Sequence, residues 1–107
     1  MSETLVKIRE LVRQRKVRVS DHGNEETQED GMNPEFLVDG VESGILIEDY
    51  PDAFKGPSVL VLQLYDGEPA HVVWGLARAN PNIATLITAY FPDPDKWYNN
   101  FMKRKPR

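Results

Sequence analysis

The chain has 107 residues, of which 40% are hydrophobic and 28% charged, so it is long enough for one packed domain and too apolar for wholesale disorder. It has no cysteine, which excludes disulfides, thiol nucleophiles, zinc–thiolate sites and iron–sulfur clusters. No apolar run approaches the roughly 20 residues of a membrane span, and the N-terminus lacks a signal peptide's apolar stretch, so we expect a single cytoplasmic domain over residues 1–107 with no membrane partner.

The charges are segregated along the chain. Residues 1–19 hold six Lys or Arg against two Asp or Glu, residues 20–66 hold one against twelve, and residues 67–107 hold six against three. Basic ends are compatible with binding a polyanion such as RNA. They are equally compatible with basic and acidic faces that neutralise each other within the fold or across a dimer, and charge alone favours this second interpretation.

The N-terminal segment predicts a helix from Ser2, its capping residue, to about Lys16. One stripe of that helix is apolar, formed by Leu5, Ile8 and Val12. The alternating 17–19 segment that follows is so short that it predicts only a strand fragment or a connector.

Two further helices are predicted before the middle of the chain. Ser20 can cap a polar segment at 22–30, which has almost no apolar face, and Gly31 is placed to end it. Asn33 and Pro34 open a short third helix. Its inward residues are expected to be Phe36, Leu37 and Val41.

From Ile45 onward the pattern changes to apolar runs of strand length, at 45–50, 58–65, 71–79 and 85–91, separated by turn sequences. We therefore predict an α+β domain in which two or three N-terminal helices pack on a four-stranded, mainly antiparallel sheet. After the last strand, a short C-terminal helix carrying Trp97 is expected to close one edge of the sheet. The basic tail at 103–107 is expected to fray.

The two histidines, His22 and His71, are the candidates for proton transfer. Imidazole titrates near neutral pH, so the pair can supply a general base and a general acid. For either residue alone, a hydrogen-bonded histidine with no chemical role is the commoner case. A metal site completed by Glu48 or Asp49 has no recognised ligand spacing, so neither a metal nor another cofactor is expected.

Strict alternation along the last predicted strand sorts its side chains onto two faces. Thr88 and Tyr90 share one face with Leu86, and the opposite face takes Thr85, Ile87, Ala89 and Phe91. Plain β-propensity also accounts for a Thr and a Tyr in a strand, so a role for them depends on their cross-strand neighbours.

Those neighbours depend on the preceding loop. If residues 80–83 form a four-residue loop, antiparallel pairing places Val73 opposite Tyr90, on the same face as His71. A five-residue loop shifts the register by one and instead joins Trp74 and Arg78 to Tyr90. Both registers remain open at this point.

Two cations are placed near these candidates. Arg18 ends the basic N-terminal segment, and Arg78 lies toward the end of the third predicted strand. Positive charge suits phosphodiester cleavage, because its transition state carries extra negative charge on phosphoryl oxygens. On a solvated face the same cations would make ion pairs worth under about 1 kcal/mol. The sequence has no Walker loop, GxGxxG, GxSxG or RNP motif.

Three segments together resemble a known family: Val-Ser-Asp-His at 19–22, Leu-Gln-Leu-Tyr-Asp-Gly-Glu-Pro-Ala-His-Val-Val at 62–73, and Leu-Ile-Thr-Ala-Tyr-Phe-Pro-Asp-Pro at 86–94 followed by Trp97. Over nearly its whole length the chain resembles a small bacterial family of domains of unknown function that is similar to the RelE/BrnT-type ribonuclease toxins. The resemblance implies an α+β domain with a curved antiparallel sheet. It also implies metal-independent RNA cleavage, in which polar residues on the sheet activate the ribose 2′-hydroxyl and stabilise the cyclising phosphate.

The resemblance and the clustering of polar residues together give an endoribonuclease hypothesis. His22 and His71 are its acid and base candidates. Thr88 and Tyr90 are expected to orient the phosphate, and Arg18 or Arg78 to neutralise it.

One difference from the family separates this hypothesis from an alternative. Relatives tend to carry Arg between the histidine of the second helix and the following glycine, whereas this chain has Glu26 and Asp30 before Gly31. Negative charge there repels RNA. The alternative is a non-catalytic interaction module that keeps the toxin fold and binds a basic protein, such as an antitoxin.

The charges also suggest a homodimer. The first helix has a basic stripe formed by Arg9, Arg13 and Lys16. The acidic segment has a stripe of opposite charge formed by Glu25, Glu29 and Asp30. Because the acidic segment lacks an apolar face, we expect it to be mobile unless paired. Stripes that meet between two copies would give a polar, salt-dependent interface.

Overall fold

The computed structural model describes residues 2–106. The elements in chain order are α1 (Glu3–Arg13), β1 (Val17–Val19), α2 (Asp21–Glu29), α3 (Pro34–Gly40), a 3-10 turn (Val41–Ser43), β2 (Ile45–Tyr50), β3 (Ser58–Tyr65), β4 (Glu68–Leu76) and β5 (Ala84–Tyr90). Helices precede the main strands, which confirms the predicted α+β class.

The sheet has five strands in the order β1-β5-β4-β3-β2. Four of these strands form the predicted antiparallel meander, and β1 adds to the outer edge of β5 in parallel. The prediction of four strands is therefore wrong by one. The three residues of β1 are too few to show the alternation that predicts a strand. They form one because their backbone hydrogen-bonds to β5. The Ser20 amide extends this ladder by donating to the Leu86 carbonyl at 3.0 Å.

Helix α1 begins at the predicted cap, where the Ser2 hydroxyl accepts a hydrogen bond from the Leu5 amide at 3.1 Å. It ends at Arg13, earlier than the predicted Lys16, because Arg15 adopts a left-handed conformation with φ of 60°. The Lys16 carbonyl then accepts a hydrogen bond from Ala84 instead of continuing the helix.

Helix α2 forms where it is predicted, with Ser20 as its cap and Gly31 following it at φ of 71°. Small residues hold it against the sheet in place of an apolar stripe. Gly23 lies so close to β5 that an added Cβ would stand 2.9 Å from the Leu86 carbonyl oxygen, and Thr27 is completely buried. The close approach of its backbone to β5 therefore holds α2 in place, and hydrophobic periodicity does not predict such a contact.

Helix α3 has the predicted Asn33 cap and Pro34 at its first turn, and Leu37 and Val41 are fully buried. The inward placement of Phe36 is wrong, since 64% of this residue is exposed. Phe36 makes an edge-to-face contact with Tyr65, with ring centroids 6.1 Å apart, at the outer end of the helix.

The core lies between α1, α3 and one face of the sheet, and Met32, which follows α2, also belongs to it. Its polar centre is Gln63, which donates to the Leu37 carbonyl at 2.7 Å and accepts from the Trp74 indole N–H at 2.9 Å. The Gln63 side chain thus provides hydrogen-bond partners for a backbone carbonyl of α3 and for the indole N–H of Trp74, the largest core residue. Among the helices of residues 2–106, none is long and apolar enough to cross a membrane.

The predicted C-terminal helix is wrong. Residues 92–106, which we call the C-terminal strap, form turns joined by a bridge between Trp97 and Arg104. Two prolines at its start and the positive φ of Phe101 do not suit a helix. The strap lies over the sheet face that the helices leave open. In the tail predicted to fray, the Lys105 amide donates to the Lys96 carbonyl at 2.9 Å, and Arg107 lies outside the described residues.

Candidate functional site

The two faces of the sheet have different surroundings. Val72 and Ala89 point into the helical core, so their strand neighbours point to the opposite side. This opposite side, here called the second face, carries His71, Thr88 and Tyr90. The structure therefore brings three of the four predicted catalytic residues onto one surface.

The pairing of β4 with β5 differs from both predicted registers. His71 lies directly opposite Tyr90, and Val73 lies opposite Thr88. Both predictions failed because the connection between the strands spans residues 77–83 and is longer than either assumed loop. The predicted clustering nevertheless holds, since the actual register also joins His71 to Tyr90.

A register shift in the middle of this strand pair leaves Ile87 as a bulged residue. Leu86 and Ala89 consequently both face the helices and are fully buried. Strict alternation placed Leu86 on the face of Thr88, and that assignment is wrong because the bulge resets the alternation.

His71 is completely buried, and both of its ring nitrogens have partners. Nε2 lies 2.7 Å from the backbone carbonyl oxygen of Phe101, which accepts only, so Nε2 is the protonated nitrogen. Nδ1 lies 3.4 Å from the Tyr90 hydroxyl, which is left to donate to it. Burial lowers the pKa of His71, with the Phe101 carbonyl opposing that effect, so the neutral ring is favoured.

The C-terminal strap covers this histidine. The Trp97 ring meets the His71 ring edge to face, with centroids 4.3 Å apart, and Trp97 is itself buried. Two backbone hydrogen bonds close the strap into a loop, from Tyr98 to Lys103 and from Lys105 to Lys96. The imidazole therefore holds the strap to the sheet, and a substrate meets the strap before it meets His71.

A charged pair ties the far end of the strap to the sheet. Arg104 donates to a Glu48 carboxylate oxygen at 3.1 Å and lies over the Trp97 ring at 5.0 Å from its centroid. The hydrogen bond to Glu48 is also the main cause of the raised pKa of Arg104. Burial raises the pKa of Tyr90, so this phenol is neutral near pH 7.

His22 is not part of this cluster. It lies on the exposed surface of α2, and its Nε2 is 3.6 Å from a carboxylate oxygen of Glu26 one turn later. The geometry does not bring the two histidines together as a pair. Within residues 2–106, no group of three or more His, Asp or Glu side chains is arranged to hold a metal ion.

The uncovered part of the second face contains a basic groove of about 180 Å³. Its cations are Arg18 from β1 and Lys55 from the loop between β2 and β3. Gly75 and Thr85, which are cross-strand partners, lie between them. The remaining lining residues are Gly56, Pro57, Leu76, Ala77 and Ile87.

A close backbone approach sets the position of Lys55. The neighbouring Gly56 has φ of 129°, and a Cβ there would stand 2.1 Å from the Leu76 carbonyl oxygen, so only glycine lets the loop approach β4 this closely. The Arg78 amide donates to the Lys55 carbonyl at 3.1 Å, and the Arg78 guanidinium lies 3.4 Å from the Ala53 carbonyl. Both predicted phosphate-binding cations, Arg18 and Arg78, therefore flank the same loop.

The basic stripe of α1 is engaged within the chain. Arg9 donates to the Val41 and Gly44 carbonyls, at 3.2 and 2.7 Å. Arg13 pairs with Glu42, which raises the pKa of Arg13. These partners come from the 3-10 turn and its end, and α2 contributes none of them. The proposed meeting of this stripe with α2 of a second copy stays a prediction.

Sequence reasoning missed Lys55, Glu48 as a partner of Arg104, and the role of Trp97. A usable signal existed for Lys55, because it is the only Lys or Arg between Arg18 and Arg78 and stands between turn residues. No comparable signal existed for Trp97, since its position over His71 depends on a strap without regular structure.

Comparison with known proteins identifies a family. A family model described as a domain of unknown function (DUF4258) matches residues 19–91, which is more than half of the chain, and the chain belongs to this family. No curated protein and no solved structure matches the chain. The matched residues run from Val19, the last residue of β1, through β5 and include Lys55, His71 and Arg78, whereas Arg18 and the whole strap lie outside them.

Proposed function

We propose that this DUF4258 domain is an RNA-binding domain of the RelE/BrnT-like type, which holds the phosphate groups of single-stranded RNA at the basic groove without a metal ion. The observation that supports this most is that Arg18 and Lys55 line one groove on the second face, with Arg78 hydrogen-bonded to the loop that carries Lys55.

The groove has the chemistry that a phosphodiester requires. Guanidinium and ammonium groups neutralise phosphate oxygens, and release of counterions drives this kind of binding. The missing side chain of Gly75 leaves room for the Ile87 side chain, and the Thr85 hydroxyl in the groove is a hydrogen-bond donor. Acidic α2 contacts β5, and none of its residues lines the groove.

The test is binding of a fluorescein-labelled uridine decamer, measured by anisotropy at several salt concentrations. Arg18→Gln and Lys55→Gln are each expected to weaken binding about three- to tenfold and to reduce the slope of log K against log salt by about 0.7. Lys7→Gln on α1 and Arg15→Gln in the turn after α1 each remove one positive charge, and they are the matched controls. Equal losses in all four variants would show a non-specific charge effect and would reject the groove.

Cleavage of the bound RNA is a second proposal, supported by the His71–Tyr90 pair on the same face. Attack by a ribose 2′-hydroxyl needs a base to take its proton and an acid to protonate the leaving 5′-oxygen. The Phe101 carbonyl of the strap occupies Nε2 of His71, and Tyr90 of β5 occupies Nδ1. This chemistry therefore requires the strap to move away first. The covered arrangement itself favours binding without cleavage.

The cleavage proposal is tested with the same RNA in the presence of EDTA. Trp97→Ala, which loosens the strap, should then cleave faster than the unaltered chain, and the double variant Trp97→Ala/His71→Ala should not cleave. Equal cleavage by the single and double variants, or none by either, would leave RNA binding without catalysis as the function.

A further inference from the structure

A cluster of exposed apolar side chains lies far from the basic groove, where α3, the β3–β4 hairpin and the end of β5 meet. We call it the aromatic patch; it consists of Phe36, Leu64, Tyr65 and Phe91. Tyr65 is its centre, because Phe36 and Phe91 each contact it edge to face with ring centroids 6.1 Å away. Phe36 and Leu64 are 64% and 69% exposed, although large apolar side chains are usually buried.

The patch has a defined shape. Phe36, Leu64, Tyr65 and Asp66 line a cavity of about 330 Å³. The Tyr65 hydroxyl accepts a hydrogen bond from the Asn33 amide at 2.7 Å, which fixes the central ring to the start of α3. Aromatic side chains held in this way lose little conformational entropy when a partner covers them, and they are typical anchors of interfaces.

The surroundings of the patch are acidic. Asp66 lines the cavity, and Asp30 accepts a hydrogen bond from the Phe91 amide at 3.1 Å. Glu35 precedes Phe36 on α3, and Glu68 is the cross-strand partner of Tyr65. The segments that form the patch, residues 30–36, 64–68 and 91–92, contain these four carboxylates and neither Lys nor Arg.

We propose that the aromatic patch docks a basic segment of a second polypeptide, whose apolar side chains cover the rings and whose cations meet the four carboxylates. The acidic rim repels RNA, so this surface and the basic groove suit partners of opposite charge. Another copy of this chain suits the surface less well, because three of its arginines, Arg13, Arg15 and Arg104, already bind carboxylates of their own chain.

The probe is a labelled peptide with a central Trp-Leu pair and three Arg or Lys residues on each side, and its affinity is measured by anisotropy. Phe36→Ser and Asp66→Asn are expected to weaken binding by about tenfold and severalfold respectively. Phe54→Ser is the matched control, because Phe54 is 87% exposed in the loop between β2 and β3. A peptide with Glu in place of each basic residue should not bind, and added salt should weaken the basic peptide.

Several results would overturn the proposal. They are equal losses for Phe36→Ser and Phe54→Ser, equal binding of the acidic peptide, and no binding of the basic peptide at 100-micromolar protein. Self-association that disappears in Phe36→Ser would show that a second copy occupies the patch instead. The RNA assay uses a different surface, so Phe36→Ser should leave RNA affinity unchanged whichever result is found here.

Discussion

The His71 imidazole meets the Trp97 indole edge to face, with ring centroids 4.3 Å apart and planes at 84°. The same imidazole reaches the Phe101 carbonyl through Nε2 and the Tyr90 hydroxyl through Nδ1. One histidine thus connects the sheet to a segment without regular structure. The neutral ring satisfies both partners at once, since Nε2–H donates to Phe101 and Nδ1 accepts from Tyr90.

The first prediction concerns pH. Because burial lowers the pKa of His71 in the folded protein, the unfolded chain binds a proton more readily than the folded one. Stability from this group is complete above the unfolded value of about 6.5 and is lost as pH falls toward the folded value. We expect the protection factors of the strap amides, which compare observed with intrinsic exchange rates at the same pH, to be smaller at pH 5 than at pH 7.

The groups that face His71 are Tyr90 on β5, Arg104 on the strap and Glu48 on β2. Of these, the first two do not change charge between pH 5 and 7. His71→Gln should therefore remove the difference between the two pH values, whereas His22→Gln should retain it. Persistence of the difference in His71→Gln would assign it to another group.

The second prediction concerns Trp97. Replacement of a buried tryptophan by alanine commonly costs about 3–5 kcal/mol, and here detachment of the strap limits the loss to the lower part of that range or below it. Trp97→Ala should lower the urea midpoint and deprotect residues 96–105. Tyr98→Ala, a neighbouring and 41% exposed aromatic, should change stability by under about 0.5 kcal/mol. Similar effects of the two variants would mean that the strap is not held through Trp97.

The third prediction concerns Gly23. Alanine is the better helix former in isolation, yet its Cβ would stand 2.9 Å from the Leu86 carbonyl oxygen. Gly23→Ala should therefore destabilise the protein by about 1–3 kcal/mol, measured by urea unfolding. The adjacent exposed Asn24→Ala should be neutral or slightly stabilising. A stabilising Gly23→Ala would show that α2 does not approach β5 so closely.

The sequence predicted those parts of the fold that depend on local chemistry. Ser2, Ser20 and Asn33 act as helix caps as expected, and the boundaries of β2 and β3 agree with the apolar runs. Contacts between distant segments were not predictable, because β1 owes its structure to β5 and α2 owes its position to Gly23. The residues of β1 and α2 give no indication of the distant segments against which they pack.

The candidate site also has one part that the sequence predicted and another that depends on contacts between distant segments. His71, Thr88 and Tyr90 share a face, as strand alternation suggested, but the bulge at Ile87 and the length of the preceding loop set the register. Coverage of His71 by Trp97 had no local signal at all. This coverage changes the expected role of His71 from an open catalytic group to one that secures the strap.

The most direct test of the proposed RNA binding is a titration of the ¹⁵N-labelled protein with the uridine decamer, followed by amide chemical shifts. We expect the largest shifts at residues of the basic groove, Arg18, Gly56, Gly75 and Thr85, with Gly67 at the distant β3–β4 turn unchanged. In Lys55→Gln these shifts should require several times more RNA. Shifts confined to α1, or none at 200-micromolar RNA, would contradict the account.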